Sequence, residues 1–298
     1  MPTLTETCYT GAALDLFAWP RPTPPTETVV KYEVLPRPTL LRERYKQSID
    51  ERVALPSTPP TVSIILEERM VSSMKRVPHV WMARVQGSTT TYPSHLVAKI
   101  YDPVFFDDYE TQWHDPFYLR DLSVSCEVEA YRRLEALQGT QVPRFYGYFT
   151  AMLPAQHSRT VYLILLERVP GRDLRAIVPQ KDAEKVCLKH KEAIVDVALR
   201  LFYGFFTYGV RNRDMQPRNI ILRPQKHASR MVSRTWFCDT EECPLVLEVD
   251  CDDLNMVMVD FERVNFGKPG PSSYKKAVQH MALDKQVYIE DWLENVVV

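Results

Sequence analysis

Apolar residues group into short runs that have the length and composition of β-strands. Val62–Met70, His79–Val85 and Leu96–Tyr101 are rich in β-branched and aromatic residues and are separated by polar turns. Together they predict a small antiparallel sheet. A further apolar run, Val161–Leu166, is short enough to be a buried strand.

Two stretches show helical spacing instead. The first predicts a helix because apolar residues recur at intervals of four, three and three, with Gly139 placed to end it: Val124, Val128, Tyr131 and Leu134. The second predicts a long helix over about residues 182–208, ended by Gly209. Its apolar stripe consists of Ile194, Ala198, Leu201, Phe205 and Tyr208.

Proline and glycine divide the chain. Ten of the 23 prolines fall within residues 1–60, so we expect this segment, apart from short pieces around Leu14 to Trp19, to be extended and poorly packed. It is expected to be a partly disordered appendage that nucleotide binding does not require. Pro170 and Gly171 interrupt regular structure and predict a boundary near Val169. The predicted domains are thus 61–169 and 170–298. The latter contains two short strands, Ile220–Leu222 and Met256–Val259, a polar insertion over 224–254, and a last helix from Ser273 to the end.

Composition narrows the function classes. With 45% apolar and 25% charged residues in 298, the chain is expected to fold and to bury a sizeable core. A formal net charge of −1 gives no bulk indication of nucleic-acid or membrane-surface binding. No apolar run reaches the ~20 residues of a membrane span, and the first residues lack a signal-peptide pattern, so an intracellular, cytoplasmic location is expected.

The cysteines are expected to be reduced thiols, since they are too sparse for a disulfide scaffold. Cys238, Cys243 and Cys251 fall within the insertion, with His227 nearby, which raises the alternative of a zinc site. The spacing lacks a close C-x-x-C pair, so ordinary thiols are the favoured interpretation.

Two polar motifs follow the long predicted helix. Arg213-Asp-Met-Gln-Pro-Arg-Asn219 is predicted to be a loop with an acid and an amide five positions apart, and Met258-Val-Asp-Phe-Glu262 places a second acid after a strand. Together they resemble the protein kinase-like superfamily. The first is similar to its H-R-D-x-x-x-x-N catalytic loop, with Asn212 in the histidine position, and the second to its D-F-G segment, with Glu262 in place of glycine.

The motifs that precede these two in the chain occur in the order that this resemblance predicts. Val97-Ala-Lys99 is similar to the strand lysine of the family, and either Glu127 or Glu129 could be its helix glutamate. At 100° per residue, Glu127 shares the face of Val124 and Tyr131, whereas Glu129 points roughly opposite. Glu127 is therefore expected to hold Lys99.

The resemblance implies an α+β fold of two lobes, with a small antiparallel-sheet N-lobe and a mainly helical, truncated C-lobe. It also implies ATP and Mg²⁺ as cofactors. Lys99 would contact the α- and β-phosphates, with Glu127 orienting it. Asn219 and Asp260 would ligate Mg²⁺, and Asp214 would accept or orient the proton of an attacking hydroxyl.

Further nucleotide contacts are implied for Val97, and for Glu167 and Val169 at the predicted connector. Each residue also has an ordinary alternative. Lys99 could be a solvated strand lysine, Glu127 a surface partner of neighbouring arginines, and the two aspartate motifs could be turns.

Several features depart from the family. No glycine lies between Gly11 and Gly87, so Ser72 and Ser73 would replace the Gly-rich loop. Loss of the histidine at Asn212 is expected to weaken the catalytic loop. Only 36 residues follow Glu262, too few for a conventional activation segment, so the chain is expected to be closer to RIO-type kinases or to aminoglycoside and choline phosphotransferases.

Two function classes remain. The first is an active phosphotransferase that transfers the γ-phosphate of ATP to a hydroxyl of a protein or small molecule, with no nucleic-acid or membrane partner. Retention of the polar residues of the motifs favours it. The second is a pseudokinase, a nucleotide- or protein-binding module without catalysis, which the missing Gly-rich loop and Glu262 favour.

Overall fold

The computed structural model describes residues 10–20, 40–70, 78–87, 90–106, 114–177, 185–224, 243, 245, 254–271, 274–275, 279 and 281–293. The chain divides into two compact units. The barrel unit comprises Met1–Glu129 and Arg144–Arg168, and the second unit comprises Ala130–Pro143 and Val169–Val298. In the described part of the chain, no helix is long and apolar enough to cross a bilayer.

The strands of the barrel unit are β1 (Ala13–Ala18), β2 (Val62–Arg69), β3 (His79–Val85), β4 (His95–Tyr101), β5 (Phe145–Leu153) and β6 (Arg159–Glu167). The second unit contains the strands β7 (Arg172–Asp173), β8 (Val210–Asn212), β9 (Ile220–Leu222), β10 (Met256–Met258) and β11 (Val264–Phe266). The helices are α1 (Leu41–Asp50), α2 (Pro116–Arg133), α3 (Leu174–Ile177), α4 (Leu188–Gly204) and α5 (Met281–Leu293).

The six strands of the barrel unit form a closed antiparallel barrel in the order β1-β2-β3-β4-β6-β5. The barrel closes at β1, where Leu16 pairs with Val62 of β2 on one side and with Ala151 of β5 on the other. Alternate residues of each strand point inward and fill the interior with branched aliphatic side chains and a few aromatic rings. They include Leu14, Leu16, Ile64, Leu66, Trp81, Leu96, Ile100, Phe149, Leu163 and Leu165.

The predicted fold class, a two-lobed kinase-like fold with a mainly helical C-lobe, is wrong. The structure contains a closed six-stranded barrel, and the described residues form few helices. The physical reason is β1, which pairs at both edges and turns the predicted open sheet into a barrel without free edges.

The expectation that residues 1–60 form a poorly packed appendage also fails for their described parts. Besides β1, the segment contains α1, whose Arg44 is 1% exposed and donates to the Phe106 carbonyl at 2.9 Å. The backbone N–H of Val53 donates to Thr160 Oγ1 of β6 at 3.0 Å. Both described pieces therefore belong to the barrel unit.

Among its described residues, the second unit contains two small sheets and two longer helices. The sheets have the orders β7-β9-β10 and β8-β11, and α4 packs against α5 and β10. Gly209 follows the last turn of α4 with a φ of +69°, and a Cβ there would lie 2.3 Å from the Gly267 carbonyl oxygen. Only glycine fits that position, which confirms Gly209 as the predicted stop.

Local patterns predicted several elements closely. The strands expected at 62–70, 79–85, 96–101 and 220–222 are present with ends shifted by no more than a residue. The long helix begins at Leu188 rather than near residue 182, and its final turn, Phe205–Tyr208, is a 3₁₀-helix. The last helix is Met281–Leu293. The sequence patterns did not predict β5, β7, β8 or β11.

Candidate functional site

In the barrel unit, a buried ion pair joins β4 to α2. Lys99 is on the outer face of β4, opposite in phase to the inward residues Ala98 and Ile100. Its Nζ lies 2.6 Å from Glu127 Oε2, and the two side chains are 6% and 0% exposed. Tyr101, two residues further along the same face, donates its hydroxyl to the same oxygen. Glu127 thereby holds two neighbouring side chains of one strand.

The position of Glu127 follows from how α2 begins and turns. Asp115 caps the helix, because its Oδ1 accepts the N–H groups of Phe117 and Tyr118 at 2.8 and 3.0 Å, and Pro116 occupies the first helical position. The pairing of Glu127 with Lys99, expected from helical phase, is confirmed. Glu129 is buried as well, at 2% exposure, so the opposite face of the helix at this position is not exposed to solvent.

A pair surrounded by protein has a strong electrostatic interaction, but it has also lost its hydration. Removal of one partner would leave an uncompensated buried charge, which typically costs about 3–5 kcal/mol. The short contact therefore sets the position of the Lys99 ammonium rather than adding much net stability. The ordinary alternatives, a solvated lysine and a surface glutamate, are wrong for both residues.

In the second unit, the loop from Asn212 to Asn219 connects β8 to β9. Asn212 is 4% exposed, and its side chain bridges two backbone groups. Its Oδ1 accepts the N–H of Asp214 at 2.8 Å, while its Nδ2 donates to the carbonyl of Asp260 at 3.0 Å. The asparagine thus provides internal support that the loss of histidine was expected to weaken, and it ties the Asp214 loop to the Asp260 turn.

The Asp214 carboxylate is positioned by its own loop. Arg218 Nη2 donates to both of its oxygens, at 3.0 and 2.9 Å, and Asn219 Nδ2 donates to Oδ2 at 3.2 Å and to the backbone carbonyl at 3.0 Å. Since the Asp214 side chain is 21% exposed, the carboxylate is both held and reachable from solvent. Arg218 was not among the predicted site residues, although its i,i+4 spacing from Asp214 was a usable signal.

Asp260 lies beside Asn219 because β9 and β10 are antiparallel. Met258 pairs with Ile220, and the N–H of Val259 donates to the Asn219 carbonyl at 2.8 Å. The start of β9 and the end of β10 are therefore at the same end of the sheet. The side-chain hydrogen bonds of Asn219 are made through Nδ2, so Oδ1 is the atom that a cation would use.

The backbone at Asp260 has a φ of 71°, a left-handed conformation that aspartate tolerates better than most residues. The next residue, Phe261, is fully buried, and its ring contacts those of Tyr131 and Phe205 with centroids 5.4 and 5.7 Å apart. The packed ring anchors the turn. Asp260 and Glu262, on either side of it, are half-buried.

The other predicted contacts are only partly described. Val97 is half-buried on β4, opposite Leu166 of β6. Glu167 ends β6, and its Oε2 accepts the N–H of Arg144 at 3.0 Å. Val169 is the first residue of the second stretch of the second unit. Ser72 and Ser73, the predicted substitutes for the Gly-rich loop, lie outside the described residues. So do His227, Cys238 and Cys251.

The structure therefore groups the predicted residues within each unit. Lys99 and Glu127 come together in the barrel unit with Tyr101, which no sequence motif indicated although it shares the strand face of Lys99. In the second unit, Asn212 links Asp214 to the turn of Asp260, and Asn219 contacts both segments. The second group presents carboxylate and amide oxygens, which are the ligands that Mg²⁺ prefers.

Comparisons with known proteins add little. No protein-family model matches the chain, and no curated protein matches it. A solved structure described as "WaaP in complex with acyl carrier protein" matches with a TM-score of 0.42 and 16% sequence identity, over 76% of this chain and 83% of that chain. Likeness at that level decides neither the fold nor the chemistry of this chain, so its function has to be inferred from the contacts within each unit.

Proposed function

We propose that this chain is a phosphotransferase that uses ATP and Mg²⁺ and transfers the γ-phosphate to a hydroxyl of a protein or small molecule. The observation that carries the proposal is the Asn212 bridge, which holds the Asp214 loop against the Asp260 turn at 2.8 and 3.0 Å. Phosphoryl transfer depends mainly on positioned charges and metal ions rather than on covalent help from the protein. A fixed arrangement of this kind suits that requirement.

In this proposal Asn219 and Asp260 ligate Mg²⁺, a hard cation that binds carboxylate and carbonyl oxygens and keeps several waters. Asp214 orients the acceptor hydroxyl and accepts its proton as transfer proceeds. Arg218 fixes the direction of the Asp214 carboxylate through its contacts at 3.0 and 2.9 Å. Positioning of a reacting group in this way lowers the entropic part of the barrier.

Lys99 is assigned to the α- and β-phosphates of the nucleotide. Its ammonium is kept in place by Glu127 at 2.6 Å, so it is already ordered before any phosphate arrives. Tyr101 shares the carboxylate and limits its rotation. The assignment rests on this local geometry and not on the two-lobed fold that the sequence predicted.

A second candidate is a binding module without catalysis. The observation that favours it is the same Arg218 contact, because Arg218 Nη2 already bonds both oxygens of the carboxylate that an acceptor hydroxyl would have to approach. In that case Mg²⁺ and ATP would still bind through the other residues. Only turnover separates the two candidates.

The test measures the melting temperature and the ATPase rate of the full chain with ATP, with Mg²⁺, and with both. Wild type is expected to be stabilised by Mg·ATP, since a ligand that binds only the native state raises the melting temperature. Asp260→Asn should lose the Mg²⁺-dependent part of the shift. Asp214→Asn should keep the shift and lose turnover by about 10²–10⁴-fold. Asp291→Asn, on the exposed face of α5, is the matched control and should behave as wild type.

Lys99→Met tests the remaining assignment. If Lys99 contacts the phosphates, Lys99→Met should reduce the rise in melting temperature that ATP causes, measured against the same variant without ATP. A wild-type shift without turnover would select the binding module. Absence of any Mg·ATP shift in a folded wild-type protein would refute nucleotide binding altogether.

A further inference from the structure

Two buried cysteines and a histidine meet in the second unit, and none of them belongs to the residues of the proposed reaction. Cys187 is the N-cap residue of α4, and His190 lies one turn further along the helix. Cys243 belongs to the segment between β9 and β10. Their exposed fractions are 8%, 0% and 2%. All three are thus enclosed by protein.

The three ligand-type atoms converge on one point. His190 Nδ1 lies 3.2 Å from Cys187 Sγ and 3.7 Å from Cys243 Sγ, and all three atoms lie within 4.8 Å of one another. In a tetrahedral zinc site with Zn–S near 2.3 Å and Zn–N near 2.05 Å, a sulfur and a nitrogen are about 3.6 Å apart. The two measured distances lie on either side of that value.

The backbone fixes the positions of the two sulfurs. The backbone N–H of Cys187 points at Cys243 Sγ, 3.4 Å away, and hydrogen bonds of this kind orient metal ligands. Cys187 is the N-cap residue of a helix of 17 residues, which sets the position of its side chain relative to His190. Imidazole and thiolate together form the donor set that selects zinc over Mg²⁺ or Ca²⁺.

We propose that Cys187, His190 and Cys243 bind a zinc ion that ties the segment between β9 and β10 to the start of α4. Binding would release the two thiol protons to solvent and form two Zn–S bonds and one Zn–N bond, with a fourth ligand completing the usual tetrahedron. Because the three side chains are buried, the ion would be structural and would not meet a substrate. The proposal is independent of the phosphotransferase function.

The sequence alone pointed elsewhere. It grouped Cys243 with the two other cysteines of the insertion, whereas the structure pairs it with residues 53 and 56 positions earlier. The Cys187-Leu-Lys-His190 spacing puts its two ligands on one helix face, which is compatible with binding of one ion. Nothing local to that motif indicates the third ligand.

The test begins with the metal content of the full chain, purified under reducing conditions and dialysed against metal-free buffer. We expect about one zinc ion per chain by elemental analysis, and X-ray absorption should report two sulfur ligands with at least one nitrogen. Cys187→Ser, His190→Gln and Cys243→Ser should each lose the zinc. Cys126→Ser is the matched control, because it removes a buried thiol of the barrel unit and should keep the metal.

Measurements on wild type keep the proposal testable if those variants do not fold. Chelation should lower the melting temperature and added zinc should restore it, and replacement by Co²⁺ should produce a thiolate-to-cobalt charge-transfer band. Folded wild type that neither retains zinc nor binds Co²⁺ would overturn the proposal. A Cys187–Cys243 disulfide found by peptide mapping of protein that was alkylated without reduction would also overturn it, as would zinc retained in all three variants.

Discussion

Replacement of Leu16 by alanine tests whether β1 closes the barrel. Leu16 is fully buried in the barrel core, and it is paired with Val62 on one neighbouring strand and with Ala151 on the other. The substitution leaves the backbone pairing intact and removes apolar side-chain volume from the point of closure. Asp15→Ala is the matched control, because Asp15 is the adjacent, outward-facing residue of the same strand.

The magnitude follows from burial. A Leu→Ala change at a fully buried site costs about 2–5 kcal/mol, the loss of transfer free energy plus the cavity left behind. For a domain of this size, each kcal/mol lowers the melting temperature by about 2–4 °C, so a cost of about 3 kcal/mol corresponds to roughly 6–12 °C. Asp15→Ala removes one exposed hydrogen bond from Ser63 and should cost less than about 1 kcal/mol.

Both variants would be followed by circular dichroism during thermal and urea unfolding. A Leu16→Ala protein no less stable than Asp15→Ala would show that β1 is not part of the folded barrel in solution. Deletion of residues 1–60 is a stronger version of the same test, since it removes β1 and α1 together. A shortened chain that unfolds with unchanged cooperativity and midpoint would show that residues 1–60 are an appendage and not part of the folded barrel.

Three further predictions concern single sites. Asp102 and Arg159 form a fully buried ion pair with two hydrogen bonds. Asp102→Asn should destabilise the barrel unit by about 3–5 kcal/mol in urea unfolding, because the Arg159 charge would lose its partner. Gly209→Ala should cost more than Gly87→Ala in melting temperature. Both have positive φ, but only the former would press a Cβ against backbone, at 2.3 Å. Burial, with a hydrogen bond to a carboxylate, raises the pKa of Tyr203 above 10.0, so its contribution to stability is complete below that pH and lost above it. Tyr203→Phe should therefore flatten the alkaline decline in melting temperature.

Each of these has a contrary outcome. An Asp102→Asn protein with wild-type stability would mean that the buried pair is solvated or broken in solution. An equal loss of melting temperature in the two glycine variants would show that the backbone does not approach Gly209 this closely in solution. A Tyr203→Phe protein whose melting temperature falls with rising pH as steeply as that of wild type would show that this phenol titrates normally.

Features encoded within short windows could be read from the sequence. Helical phase chose Glu127 rather than Glu129 as the partner of Lys99, because side-chain direction repeats every 3.6 residues in a helix. The motif resemblance implied that Asn219 and Asp260 lie together, and the antiparallel pairing of β9 and β10 accounts for their proximity. These relations depend on backbone geometry that neighbouring residues determine.

Tertiary structure decided the rest. β1 lies among prolines and pairs with residues more than 40 positions away, so no local pattern showed that it would close a barrel instead of leaving an open sheet. Cys243 meets Cys187 and His190 for the same kind of reason, through packing between distant segments. Such contacts form only where burying apolar surface outweighs the entropy of closing long loops, and that balance belongs to the whole fold rather than to any window of sequence.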